Sequence, residues 1–422
     1  VYPRVALFAA MLAFAGLPLY VHLPRFATGE LGLSLAALGG VLLVIRLMDF
    51  LQDPFLGWLA DRPRAPRRAL AALGAGGLAA GFLGTFAFAA PFGLSPAGWL
   101  LISLALVFTA YSLLMILFYG EGVKLAAEAG PGGHVRLAGL REAGTAGGII
   151  LATALPSLLA ATGREATAYR DFALVAVAVI LLATLAMWPL WRPNARRAPG
   201  QTVPGPRALF ANPALRFLLL LGFVNAMPVA ATSTLFLFFV EDRLALPQLA
   251  GPFLLLFFAA AGATAPLWSR VARRFGVRRT LLTGMALSVA AFLWAAALGP
   301  GQGAAFAIVC LASGAAVGAD MVLLPALFAA TVEEESQPEG LAFGLWAFVA
   351  KAALALAAGL LLPLLDVFGF VPGQENSAHA TGALVFAYAL LPCALKLIAM
   401  ALVLRLPRGA ASGPAAPLLR GA

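Results

Sequence analysis

Charge is scarce in this chain. Of its 422 residues, 11% are Asp, Glu, Lys or Arg and 62% are hydrophobic. Soluble globular domains are not built that way. Histidine (3) and cysteine (2) are scarcer still. His22, His134 and His379 fall at span ends or in loops, and Cys310 and Cys393 fall inside apolar runs. Neither set has the spacing of a metal site or of a disulfide framework. There is no Ser-His-Asp arrangement and no phosphate loop, so neither an enzyme nor a cofactor is expected. The net charge of +10 raises the question of nucleic acid. Most Lys and Arg, however, sit in short loops between apolar runs. That pattern sets orientation in a membrane, and the expected macromolecular surroundings are lipid, not nucleic acid.

Apolar length is what the chain has. Twelve runs reach the roughly 20 residues that cross a bilayer, at 5–23, 35–59, 69–90, 97–120, 138–160, 171–191, 214–239, 247–268, 280–299, 303–330, 341–364 and 381–405. The first could pass for a signal peptide, but eleven further spans favour a retained helix. Forty-four glycines suit close packing of helices in lipid. Basic loops follow span two (Arg62, Arg64, Arg67, Arg68), span six (Arg192, Arg196, Arg197, Arg207) and span eight (Arg270, Arg273, Arg274, Arg278, Arg279). The opposite loops hold few. Both termini are therefore expected in the cytoplasm, in a plasma membrane of bacterial type. Glu333, Glu334, Glu335 and Glu339 lie on the same side, and the rule is nearly blind to acids. A Pro-, Gly- and Arg-rich stretch divides the chain into 1–191, a linker at 192–213, and 214–422. The expected fold is an all-α integral membrane protein of twelve transmembrane helices in two pseudo-symmetric six-helix halves. One chain suffices for it.

Span two carries the residues that demand a function. Asp49 and Asp53 are four apart and share one helix face, flanked by Arg46 and Gln52. Each carboxylate costs about 2.5–3.5 kcal/mol at mid-membrane on insertion scales. Pro54 lacks an N–H, which leaves the carbonyl of Phe50 as a spare acceptor. Carboxylates, a side-chain amide and a freed carbonyl suit a hard cation, Na⁺ or H⁺. The structural alternative is an ion pair of Arg46 with Asp49, which leaves Asp53 unexplained.

Gly57-x-x-x-Asp61-Arg62, followed by Arg67-Arg68, resembles the loop signature between helices two and three of the major facilitator superfamily. Arg46-x-x-Asp49-x-x-x-Asp53-Pro54-x-x-Gly57-Trp58 resembles the second helix of its glycoside–pentoside–hexuronide:cation symporter family. The resemblance implies secondary transport, with Asp49 and Asp53 as the coupling-cation site. It also implies polar positions at Tyr111, Arg141, Asn225 and Lys351, and an acidic motif at 330–333 where Ala330 replaces one acid. Sugar-transporting members carry an acid in helix one and another four residues after the helix-four tyrosine. Span one has none, and that second position is Met115, followed by Tyr119. A sugar needs several directional partners. The solute expected by family default is a sugar or glycoside. A cationic or amphiphilic solute recognised by Asp320 or Glu121 stays open.

The remaining intramembrane polar groups divide between function and packing. Lys351 is expected to pair with Asp49 or Asp53. Arg141 and Glu142 are either functional or interfacial charges. Asn225 either binds solute or bridges helices, and Lys396 packs or reaches a headgroup. A proton-driven efflux antiporter, or a lysolipid carrier of the same superfamily, is the alternative function. Span five has Gly144, Gly147 and Gly148 but lacks the proline of the efflux signature.

Overall fold

The computed structural model describes residues 2–16, 23–62, 66–91, 93–130, 132–161, 167–191 and 206–406. Most of the 192–213 linker, the end of the first expected span, and the tail after 406 lie outside the described residues. The twelve principal helices are α1 (Tyr2–Gly16), α2 (Leu35–Ala60), α3 (Arg67–Phe86), α4 (Pro96–Glu128), α5 (Gly133–Ala161), α6 (Ala168–Met187), α7 (Pro213–Phe238), α8 (Ala250–Phe275), α9 (Val277–Ala296), α10 (Gly303–Glu334), α11 (Glu339–Val367) and α12 (Ala378–Leu404). Among the described residues, nine helical segments are long and apolar enough to cross a membrane. To these α1, α2 and α5 add helices of 15, 26 and 29 residues.

Local chemistry sets the helix ends. Ser34 caps α2 by accepting from the Ala37 N–H at 3.2 Å. Asn212 caps α7 by accepting from Ala214 and Leu215 at 3.0 and 3.1 Å, with Pro213 in the first turn. Gly276, at φ 87°, ends α8 and lets α9 start at the next residue. Three spans reach well past the limits drawn from hydropathy: α4 runs on to Glu128, α5 begins at Gly133, and α8 runs on to Phe275. For α4 the reason is pairing. Glu121 and Lys124 form an ion pair inside the last turns of α4, so charge does not end that helix.

Among the described residues, π turns occur at Phe239–Arg243, directly after α7, and at Phe386–Leu390, within α12. The two turns meet where Phe239 stacks on Tyr388, ring centroids 4.1 Å apart. Both lie in one aromatic core with Phe306, Phe253 and Phe292.

The chain forms two compact units. Unit 1 comprises residues 1–125, 143–211 and 332–348, and unit 2 comprises 126–142, 212–331 and 349–422. Each unit thus takes in one short segment from the other half of the sequence. In unit 1 the ends of α2 and α11 touch through backbone. A Cβ on Gly57 would come within 2.4 Å of the Gly340 carbonyl oxygen, and one on Gly344 within 2.5 Å of the Asp53 carbonyl oxygen. In unit 2 the first turns of α5 meet α8, where Ser269 Oγ donates to the Val135 carbonyl at 3.0 Å.

Candidate functional site

The arrangement of α2 is the inverse of a soluble helix. Asp49 is 5% exposed and Asp53 is fully buried, whereas Leu47, Leu51 and Phe55 are 56%, 66% and 58% exposed. The acids face protein, and the large apolar side chains face outward, as lipid requires. Gln52 is half-buried beside them.

Asp49 is held by α4. Asp49 Oδ1 accepts from Ser112 Oγ at 3.1 Å and from Gln52 Nε2 at 3.2 Å. Gln52 Oε1 in turn accepts from Thr109 Oγ1 at 2.8 Å. The chain Thr109–Gln52–Asp49–Ser112 thus directs two donors at one carboxylate oxygen. Thr109 and Ser112 are absent from the sequence-derived set. Their signal was two small hydroxyls three apart on one face of an apolar span. Gln52 links Asp49 to α4, so its amide oxygen is already engaged by Thr109.

Other expected site residues are placed as follows. Tyr111 is half-buried on α4, its hydroxyl 3.3 Å from where a Cβ on Gly16 of α1 would lie. Met115 is half-buried, and the Tyr119 ring lies 5.2 Å from that of Phe343. Arg141 pairs with its neighbour Glu142, Nε to Oε1 at 3.1 Å, in the 126–142 segment of unit 2. Lys351 is half-buried in unit 2. Gly144 and Gly148 pack against α1, where added Cβ atoms would come within 2.1 Å of the Ala6 and Ala10 carbonyl oxygens. Helix packing therefore accounts for those two span-five glycines.

Beside the acids of α2, unit 1 holds a buried charge cluster. Arg67 Nη1 reaches Glu121 Oε2 at 3.1 Å, and Arg67 Nη2 reaches Glu339 Oε2 at 3.2 Å. Lys124 lies 3.9 Å from the same Glu121 oxygen. Asp61 closes the group by accepting from the backbone N–H of Gly340 (3.0 Å) and Leu341 (2.7 Å), in the first turn of α11. Burial pushes the Asp61 carboxyl above its ordinary range, against the pull of those two donors.

In unit 2, of the two expectations for Lys396, packing or a headgroup, burial rules out the headgroup: the residue is 1% exposed and its ammonium pairs with Asp320 Oδ2. It also donates to Asn225 Oδ1 at 2.7 Å. Two expected site residues, Asp320 and Asn225, are thus joined by a lysine that hydropathy alone hides within an apolar span.

Residues 4–408 match the profile described as MFS/sugar transport protein. The chain belongs to that family. Solved structures of major facilitator transporters share its fold. A bacterial homologue of the iron transporter ferroportin, in an outward-facing state, aligns with TM-score 0.73 and 15% identity over 96% of this chain and 99% of its own. The E. coli fucose:proton symporter FucP aligns with TM-score 0.71 and 15% identity over 95% and 98%. The human organic anion transporter MFSD10 (TETRAN) aligns with TM-score 0.63 and 19% identity over 95% and 98%. No curated protein sequence matches the chain. The MFS/sugar transport assignment thus spans nearly the whole chain, and the neighbours share its fold at low identity. It makes the protein a multi-pass membrane transporter.

Proposed function

We propose that the protein is a secondary active transporter that carries a small organic solute together with a coupling cation, Na⁺ or H⁺, by alternating access. The observation that carries this reading is the burial of Asp49 and Asp53 against protein, while Leu47, Leu51 and Phe55 of the same helix face outward. A membrane helix that hides two acids in this way is built to hold positive charge. The family description supports a sugar-like solute, and the fucose:proton symporter is a fold relative that couples a solute to a cation.

The mechanism follows from charge. With no cation bound, the like charges of Asp49 and Asp53, one helical turn apart, repel each other. Ser112 and Gln52 fix the Asp49 carboxylate so that a cation meets a preset oxygen. A bound cation cancels part of the negative charge and stabilises the state in which solute is held. Tyr111, Met115, Tyr119, Arg141, Asn225, Asp320 and Lys351 are assigned to the solute path. Coupling of this kind is reciprocal, so solute must tighten cation binding by the factor by which cation tightens solute. The protein is assigned to a plasma membrane of bacterial type with both termini inside.

The test is uptake into vesicles under an imposed Na⁺ gradient and, separately, a pH gradient, in the parent and in Asp53→Asn. Asparagine keeps the volume and one acceptor oxygen but lacks the charge. Accumulation is expected to vanish under the gradient that drives the parent, while exchange at equal concentrations survives. If Asp53→Asn accumulates solute as well as the parent under both gradients, the cation-site assignment fails.

A further inference from the structure

Coupling through Asp49 and Asp53 makes no use of Lys396. This ammonium is 1% exposed, on a helix that is otherwise apolar around it, and it lies about eight residues, roughly 12 Å, from the nearer helix end. Asp320 of α10 and Asn225 of α7, both 5% exposed, supply its partners. Three helices of unit 2 thus bring one cation, one anion and one amide together at depth. A buried pair of this kind adds little to stability over apolar residues of the same volume, and intramembrane ionisable groups mark solute and proton paths.

Two details define what the group can bind. Asp320 Oδ1 is buried and has no hydrogen-bond partner among the described residues. Two of the three ammonium hydrogens of Lys396 serve Asp320 Oδ2 and Asn225 Oδ1. The pair therefore keeps one acceptor, Asp320 Oδ1, and one ammonium hydrogen beyond those two bonds. Other ionisable groups on the surrounding helices are engaged or remote. Cys393, one turn before Lys396, donates to the Val289 carbonyl at 3.5 Å, and Tyr388 stacks on Phe239. Arg278 of α9 donates to the Leu404 carbonyl at 2.7 Å. Arg216 of α7 is nine residues before Asn225, and Cys310 of α10 is ten before Asp320. α11 adds Lys351 and Asp366, α8 only the arginines of its last turns, and α10 the glutamates at its end. Among the described residues, Asp320 and Lys396 have no third charged partner.

We propose that Asp320, Lys396 and Asn225 bind an organic monocarboxylate together with one proton. The proposal rests on the transporter reading but not on the Asp49–Asp53 assignment. With Asp320 ionised, the pair is neutral and closed. A proton taken up at Asp320 Oδ1 removes its charge and frees the ammonium, which Asn225 still holds. The carboxylate of the solute then takes the place of the Asp320 carboxylate on Lys396. The site has gained one positive and one negative charge and is neutral again. A proton alone, or an anion alone, would leave an uncompensated charge among apolar side chains such as Val317, Leu323 and Leu324. Binding is thus one to one and electroneutral, and the apolar surroundings suit a carboxylate on a small apolar body.

The experiment uses the purified full chain in nanodiscs, with butyrate, lactate and benzoate as probes and their amides as controls. Calorimetry in weak buffer reads binding and proton uptake together. At least one acid is expected to bind with uptake of one proton per carboxylate and with affinity that rises as pH falls, while its amide does not bind. Asp320→Asn, which mimics the protonated acid, should bind the same carboxylate without proton uptake and with a flat pH profile. Lys396→Met should lose binding. Because Lys396→Met strands an acid and can misfold, the double variant Asp320→Asn/Lys396→Met is measured beside it: this variant buries no charge and should be folded and unable to bind. The proposal is overturned if no probe binds the parent. It is equally overturned if Asp320→Asn keeps proton uptake, or if the double variant binds like the parent, as a purely structural pair would allow. These readouts are equilibrium binding and proton uptake in Asp320 and Lys396 variants, whereas the cation-site assignment is read from gradient-driven accumulation in Asp53→Asn, so failure here and failure of that assignment are separate results.

Discussion

Asp61 does at residue scale what a helix usually does for itself. It lies just beyond α2, yet its two oxygens accept the N–H groups of Gly340 and Leu341 and so cap α11 from 279 and 280 residues away. Its folded-state affinity for a proton is raised, first by burial. The sign follows: such a group gives its full stabilisation below the ordinary carboxylate pKa and loses it as pH rises through the raised value. Thermal stability should therefore contain a component that declines from acid toward neutral pH. Asp61→Asn cannot titrate and should flatten that component. It also surrenders one of the two cap acceptors, a loss of about 1 kcal/mol. Melting of the solubilised protein across pH measures both; an unchanged slope in the variant would remove Asp61 as its source. Individual residues were unevenly legible. Asp49 and Asp53 could be read because their spacing lies within one helix. The partners of Arg67, Asp320 and Lys396 could not, because they come from helices 54 to 272 residues apart.

At the scale of elements, number and order were legible and facing was not. Apolar runs gave the helix positions, although α4 and α8 run on past their expected ends to Glu128 and Phe275, and caps such as Ser34 and Asn212 mark two of the starts. In lipid, however, the outer face of a helix is as apolar as its packing face, so hydrophobic periodicity no longer points inward. Only the polar residues of α2 broke that degeneracy. The contact between α2 and α11 is a matter of backbone approach, which sequence shows only as scattered glycine. It yields a prediction internal to one helix. Gly344→Ala places a methyl 2.5 Å from the Asp53 carbonyl oxygen, whereas Gly359→Ala meets nothing within 4 Å. The first should lower the melting temperature and transport, at a cost of about 1–3 kcal/mol for overpacking. The second should be neutral, or stabilising by up to about 1 kcal/mol from helix propensity. Equal effects of the two would mean that the seam between α2 and α11 is not tight.

For the whole molecule, orientation is the property that the loops specify. Arg62, Arg68, Arg270, Arg273 and Arg279 all belong to one predicted side, and the assignment is that this side is the cytoplasm. Single cysteines at Arg68 and Arg279, in a chain with Cys310 and Cys393 changed to alanine, should react with an impermeant maleimide only in inverted vesicles. Labelling from the outside of intact cells would reverse the topology and move both termini out.

The segment 332–348 also imposes an order in time. Arg67 is buried against Glu121, 54 residues later in the chain, and against Glu339, 272 residues later. A ribosome adding about 5–20 residues per second needs roughly 15–55 s to span the longer interval. Through that interval α2 and α3 are already made, while Asp61 has no α11 to cap and Arg67 lacks its second carboxylate. Unit 1, although it begins the chain, is completed only after most of unit 2 has been synthesised.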